Sequence, residues 1–317
     1  MVESGGSGPV ADLHDGGRTG PCMTHVFVLG NASVDITLRV PRLPLPGETL
    51  LASAMARAPG GKGLNQAVVA ARAGVPVHLC APLGPGPEAV VVRTALAQEP
   101  FASLRLPEVE APTDLSTLLV DDTAENCIVS TGDCAMALPA VEAEAFVVEM
   151  GAGDILLLQG NLSETVTVDA ATLARARGAR LVVNAAPLRW NYGRLLKLCD
   201  VVVANEGEAA ELTGHADPAR AAEALRGAGM AIVTLGPQGC VVADAAGVAR
   251  LPAVATVVND TSGGGDAFCG ALVAAMALGA TRPVDTALRA AALAVSRPGC
   301  FTAFPSRHEM AALLAVA

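Results

Sequence analysis

From Pro139 onward the sequence alternates short apolar runs with amphipathic stretches, and this rhythm restricts the fold more than any other feature. The spacing predicts helix 139–150, strand 154–159, helix 164–178, strand 180–184 and strand 200–204. Helices over 206–213 and 217–228 and a strand over 231–235 follow. Strands that alternate with helices form a parallel sheet covered by helices on both faces, a doubly wound α/β architecture. Val26 to Gly30 and Val77 to Leu83 read as two earlier strands. Segments 239–244 and 247–251 read as an antiparallel hairpin, and helices 263–279, 283–296 and 306–315 close the chain.

Two regions break the rhythm. Segments 36–58 and 102–132 are extended but carry no helices between them, so they are expected to form a small β lid beside the ligand side of the sheet. Residues 1–22 hold six glycines and no periodic pattern and are expected to be a disordered extension, leaving 23–317 as one catalytic unit with its lid.

Hydrophobic residues make up 52% of the 317 positions but aromatics only 3%, so the core has to be built from Ala, Val and Leu. The net charge of −10 argues against nucleic acid as a steady partner. A phosphate-bearing ligand would therefore be held by backbone N–H groups, a metal and a few basic side chains. The eight cysteines are scattered without a Cys-x-x-Cys pair, which suits a reducing cytoplasm better than a disulfide scaffold. No apolar run reaches the length of a membrane span.

Candidate chemistry gathers at three places. Asp260-Thr261-Ser262-Gly263-Gly264-Gly265-Asp266 precedes a long apolar helix. A helix that opens from glycines offers free N–H groups and the positive end of its dipole to an anion such as phosphate. Asp266 then sits at the mouth of that site, where a carboxylate could act as a base on a hydroxyl. Asp35 lies just past the carboxyl end of the first strand, where open α/β sheets bind ligands. Gly60-Gly61-Lys62-Gly63-Leu64-Asn65 opens another helix, with Lys62 and Asn65 spaced to project from one turn. It lacks the Walker pattern. Gly84-Pro85-Gly86-Pro87-Glu88-Ala89 matches a dinucleotide fingerprint on paper, but its prolines remove the amides that would hold a pyrophosphate.

Read together, these stretches resemble the ribokinase (PfkB-type) carbohydrate kinases. Gly60 to Ala67 is similar to the family's N-terminal signature and Asp260 to Asp266 to its C-terminal one. Asn205-Glu206-Gly207-Glu208 matches its N-x-x-E motif and Thr234-Leu235-Gly236-Pro237-Gln238-Gly239 its T-L-G-x-x-G motif. The order and spacing agree from about Met23 to the C-terminus. The resemblance implies a Rossmann-like core with a β lid and the transfer of phosphoryl from ATP to a sugar. It implies Asp266 as catalytic base and Gly263, Gly264 and Gly265 as the anion hole. Asn205 and Glu208 would organise Mg²⁺ and the phosphates through water, and Thr234, Gly236 and Gly239 would contact the nucleotide. Ser33, Asp35, Gly61, Lys62, Asn65 and Asn161 fall on sugar-binding positions. A monovalent cation, K⁺, would be held by the Asp260 carboxylate and by backbone carbonyls of Ser262, Ala294, Arg297 and Gly299, although Ala303 replaces a serine that would complete the ring. Pairing of lids between subunits implies a homodimer.

Three further places depart from the family pattern. Ser33 stands where an Asn is usual, Asn161 where a Glu contacts ribose, and Gly84 to Ala89 lacks the usual acidic residues. The expected acceptor is therefore ribose or a related sugar. A nucleoside kinase of the same fold is the nearest alternative, although such enzymes clamp the base with aromatics that this chain largely lacks. A non-catalytic sugar-binding protein is the alternative from another class.

Overall fold

The apolar run Val26-Phe27-Val28-Leu29 forms β1 (Val26–Leu29), and each of its four side chains is buried. Their period-two alternation splits them between two faces. Val26 and Val28 join one core and Phe27 and Leu29 the other, with the sheet between. Burying an aliphatic side chain contributes about 1.5–3 kcal/mol, so strands of this kind are held by what covers them on both sides.

The computed structural model describes residues 23–316 apart from Ala124 and Ala228. The extension over 1–22 lies outside the described residues. After β1 come β2 (Ser33–Arg39), β3 (Ala54–Gly60), α1 (Lys62–Arg72), β4 (Val77–Cys80), α2 (Pro87–Leu96) and β5 (Ser103–Arg105). Then follow β6 (Asp114–Val120), β7 (Asn126–Ser130), α3 (Asp133–Met136), α4 (Ala140–Val147), β8 (Ile155–Leu158), α5 (Glu164–Ala176) and β9 (Arg180–Asn184). The chain continues through α6 (Gly193–Leu196), β10 (Val201–Asn205), α7 (Glu206–Thr213), α8 (Pro218–Leu225), β11 (Met230–Thr234), β12 (Cys240–Asp244) and β13 (Gly247–Leu251). It ends in α9 (Gly264–Ala277), α10 (Pro283–Val295) and α11 (Arg307–Leu314).

These strands make a nine-stranded sheet in the order β13-β12-β11-β10-β9-β8-β1-β4-β5 and a four-stranded sheet in the order β3-β2-β6-β7. The large sheet is parallel from β5 to β11, and β12 and β13 add the expected antiparallel hairpin. The predicted doubly wound α/β fold with a second small sheet is what forms. The order reverses at β1, which lies between β4 and β8, so a crevice opens beyond the carboxyl ends of β1 and β8.

The small sheet differs from its expected bounds at two places. Ser103–Arg105 pairs in parallel with His78–Cys80, so β5 is an edge strand of the large sheet and only the later part of 102–132 enters the small one. The helix α2 carries the chain back over the sheet as a parallel crossover, which delivers β5 beside β4. The second difference is within the segment expected over 36–58, whose second strand begins at Ala54 and runs on past 58 to Gly60 through Pro59. β3 is an edge strand, where a residue without an N–H is tolerated.

The helix α9 is buried along most of its length, from Asp266 to Ala275, and packs against α1. Gly270 makes that approach possible. A Cβ there would lie 2.5 Å from the Gln66 carbonyl oxygen and 2.7 Å from Val69 Cβ. This close contact brings the first turn of α1 against the first turn of α9. Among the described residues no helix is long and apolar enough to cross a membrane. Cys80, Cys134, Cys199, Cys240 and Cys269 are buried free thiols.

Candidate active site

The crevice at the carboxyl ends of β1 and β8 holds a cavity of about 530 Å³. Ser33, Asp35, Gly61, Lys62, Asn65 and Asn161 all line it, together with Ser262, Gly263 and Asp266. The small sheet supplies the opposing wall through Ser116, Leu118, Ile128 and Ser130. Among the described residues, none that lines this cavity is aromatic.

Asp266 lies in the first turn of α9 and is only 8% exposed. Its Oδ2 accepts from Asn65 Nδ2 at 2.9 Å and its Oδ1 from Gln66 Nε2 at 2.9 Å. Gln66 Nε2 also donates to Asn184 Oδ1 at 3.0 Å, and Gln66 Oε1 accepts from Gln159 Nε2 at 2.9 Å. The carboxylate is thus fixed from behind by a buried amide network and presents its remaining lone pairs to the cavity. Asn65 Oδ1 and Asn161 Oδ1 are buried without a protein partner. Two unmet acceptors on the same wall suit the hydroxyl groups of a polyol.

The helix α9 opens at Gly263, whose φ of 78° is left-handed. Ala267 N donates to the Gly263 carbonyl at 2.8 Å; of the amides before it, Gly264 N makes only a long 3.5 Å contact to the Thr261 carbonyl, and by helix geometry those of Gly265 and Asp266 point outward. Space beside Gly265 is open, since a Cβ there would meet no atom within 4 Å. A glycine loop at the positive end of a helix dipole suits an anion, and this one opens next to Asp266.

Charges around the cavity are coupled. Burial pushes the Asp35 carboxyl up to about 6; Ser33 and Ser116 hydroxyls oppose this and the Asp266 charge adds to it. Burial alone would lower the Lys62 ammonium, but Asp266 and Glu208 outweigh it and hold Lys62 above its ordinary value. Burial likewise raises Glu208, against the backbone N–H of Asn205 and the charge of Lys62.

Asn205, Glu208, Thr234, Gly236 and Gly239 stand apart from the cavity's lining. Asn205 and Glu208 form a reciprocal capping box at the start of α7, with Glu208 N donating to Asn205 Oδ1 and Asn205 N to Glu208 Oε2, both at 2.8 Å. Asn205 pairs in register with Thr234 at the carboxyl ends of β10 and β11. Gly236 and Gly239 close the turn from β11 to β12, where Leu235 N donates to the Gly239 carbonyl at 2.8 Å. These five form a second group at the carboxyl ends of β10 and β11, along the same end of the sheet as the cavity. Of the residues expected to hold a cation, Ser262 lines the cavity, and the buried Asp260 carboxylate meets Arg39 Nη2 at 2.8 Å and Gly299 N at 3.0 Å.

Sequence reasoning overlooked Gln66, Gln159, Asn184 and Arg39. Gln66 and Gln159 had an available signal: each is an amide within an otherwise apolar or glycine-rich stretch beside a predicted ligand residue. Asn184 ends a buried strand and Arg39 the half-buried end of another, and neither has a local signature.

Comparison with known proteins agrees with this geometry. The family model for pfkB family carbohydrate kinases matches residues 23–307. The ribokinase of Haemophilus influenzae is 31% identical over 294 residues, covering 89% of this chain and 95% of that protein. The bifunctional ribokinase/ribose-5-phosphate isomerase A of Fructilactobacillus sanfranciscensis is 29% identical over 303 residues; the match covers 91% of this chain but only 56% of that longer protein. Among solved structures, Arabidopsis thaliana ribokinase complexed with ribose and ATP superposes with a TM-score of 0.79 at 25% identity, covering 93% of this chain and 99% of that one. Phosphofructokinase-2 of Escherichia coli in complex with potassium shares the fold, with a TM-score of 0.73 at 21% identity over 92% of this chain and 98% of that one. Family model, relatives and fold agree, and the chain belongs to the pfkB family of carbohydrate kinases as a ribokinase-like member.

Proposed function

We propose that this kinase transfers the γ-phosphoryl group of ATP to a primary hydroxyl of a small sugar, ribose or a related one. The observation that carries this reading is the Asp266 carboxylate, fixed by Asn65 and Gln66 where the sugar-sized cavity meets the amide-rich start of α9. In the step envisaged, the hydroxyl oxygen bonds to the γ-phosphorus as the bond from that phosphorus to the β–γ bridging oxygen breaks. ADP leaves with the electron pair and the hydroxyl proton passes to Asp266. The amides of Gly263, Gly264 and Gly265 take the charge that spreads over the phosphoryl oxygens, with their dipoles oriented beforehand. Ser33, Asp35, Gly61, Lys62, Asn65 and Asn161 bind the sugar, and Thr234, Gly236 and Gly239 contact the nucleotide. Magnesium, when bound with ATP, supplies further neutralisation of phosphate charge. The carboxylate and amide oxygens of Glu208 and Asn205, held rigid by their capping box, fit that hard ion through water.

The bare wall of the cavity favours a free sugar over a nucleoside, since among the described residues no aromatic side chain is there to stack on a base. An ATP-consumption screen across pentoses, hexoses, ketoses and nucleosides with Mg²⁺ tests the reading. Turnover is expected with a pentose or a close analogue, and turnover confined to nucleosides would replace this proposal with the other.

Asp35 gives the sugar site a pH dependence. As a carboxylate it accepts hydroxyl hydrogen bonds; protonated, it loses that capacity. Its value of about 6 lies above the ordinary 3.8, so the charged form appears only as pH rises through that range. The KM for sugar is therefore expected to fall several-fold between about pH 5 and pH 7, while the KM for ATP changes little. A flat sugar KM across that window would remove Asp35 from sugar binding.

A further inference from the structure

The family resemblance implies a monovalent cation beside the glycine loop, and the residues of this chain do not fit one. Asp260 is fully buried, yet Oδ2 already accepts from Arg39 Nη2 at 2.8 Å and from Gly299 N at 3.0 Å, while Oδ1 accepts from Ser262 N at 3.0 Å. The carbonyl of Ala294 accepts from Arg297 N at 3.2 Å, and Ala303 brings no hydroxyl to the ring. An ion placed against Asp260 would have to displace the guanidinium or sit beside it against one shared carboxylate.

We propose that the Arg39 guanidinium takes the place of the monovalent cation, so that the enzyme carries a fixed positive charge behind its phosphate loop and turns over without potassium. A buried carboxylate needs a countercharge, and leaving it unpaired is strongly unfavourable. Guanidinium suits the task because it is always charged, weakly hydrated and shaped to donate to carboxylate oxygens. Arg39 ends β2, the same strand that carries Ser33 and Asp35 at its other end, so the charge arrives on the sheet that walls the cavity. A second link runs the same way. Asn126 Nδ2, from β7, donates to Thr261 Oγ1 at 3.2 Å and reaches Ser262 Oγ at 3.5 Å. The small sheet thus grips both the carboxylate and the loop that precede the anion cradle. Arg39 acts through Asp260 and the loop and is a positioning residue.

The activity arm of the test rests on the kinase reading above; the melting arm does not. The full chain is prepared in tetramethylammonium buffer and titrated with KCl against tetramethylammonium chloride at equal ionic strength, with ATP turnover and melting temperature as readouts. Wild-type protein is expected to change rate by less than about twofold and to show no potassium-specific rise in melting temperature. Arg39→Gln is expected to lose about tenfold or more in kcat without potassium, to recover much of it with KCl, and to melt higher in KCl alone. Arg39→Lys, which keeps the charge, is expected to remain indifferent to potassium. Several-fold activation or a potassium-specific melting rise in the wild type would overturn the proposal, as would an Arg39→Gln protein blind to potassium. If Arg39→Gln does not fold, the two wild-type arms decide. If no sugar is turned over, the kinase reading fails while the melting arms still test the cation replacement.

Discussion

Asp266→Asn is expected to lower kcat by about 10² or more while leaving ATP affinity intact, as measured by steady-state turnover and calorimetric titration of ATP. The fold should survive, because the surroundings can adapt. An amide has one acceptor oxygen where the carboxylate has two, so one of its two present donors would face an N–H₂ group. Gln66 cannot turn, since its Oε1 is held by Gln159 and its Nε2 by Asn184. Asn65 can turn, because its Oδ1 has no partner. A flip of Asn65 restores both contacts, at the cost of its long 3.5 Å Nδ2 contact to Cys300 Sγ. It also turns Nδ2 toward the space that Oδ1 now faces, so the KM for sugar is expected to shift as well. Near-normal turnover in a folded Asp266→Asn protein would remove Asp266 from the base role.

Gly263→Ala is expected to reduce kcat by about 10²–10³, as loss of oxyanion donors does elsewhere. The left-handed φ of 78° costs a residue with a Cβ about 1–2 kcal/mol. The added carbon would also lie 2.7 Å from Cys300 Sγ and 3.0 Å from Phe304 Cε1, so the loop has to shift. Displacing the first amides of α9 misaligns the cradle, where even about 1 Å of misplacement can cost about 10² in rate. The melting temperature is expected to fall by only a few degrees, since a chain of this size unfolds with a large entropy. A protein that melts lower but keeps its kcat would mean that these amides do not act on the transferred group.

The alternation after Pro139 was enough to read the parallel sheet, because fully buried strands such as Ile155–Leu158 and the helices between them leave local, repeating signatures. The same holds for the glycine loop before Asp266 and for Lys62 and Asn65, whose neighbours in sequence are their neighbours in space. What could not be read depends on contacts far apart along the chain. Asn65 meets Asp266 across 201 positions, Gln159 meets Gln66 across 93, and Arg39 meets Asp260 across 221. No periodicity encodes such pairs. β5 was misassigned for a related reason: three extended residues do not say which sheet edge they will reach, and the path of α2 decides it.

The amide network behind Asp266 has a consequence for where the abstracted proton goes. A carboxylate can only accept, so Gln66 has to turn its Nε2 toward Asp266, which forces its Oε1 toward Gln159 and orients every amide behind the base. Carboxamides do not readily gain or lose protons, so this array is a dead end for proton conduction. A proton taken up by Asp266 in the proposed step would therefore leave on the cavity side, not through this array. On the base role proposed above, regeneration of the carboxylate would then be coupled to opening of the cavity to water.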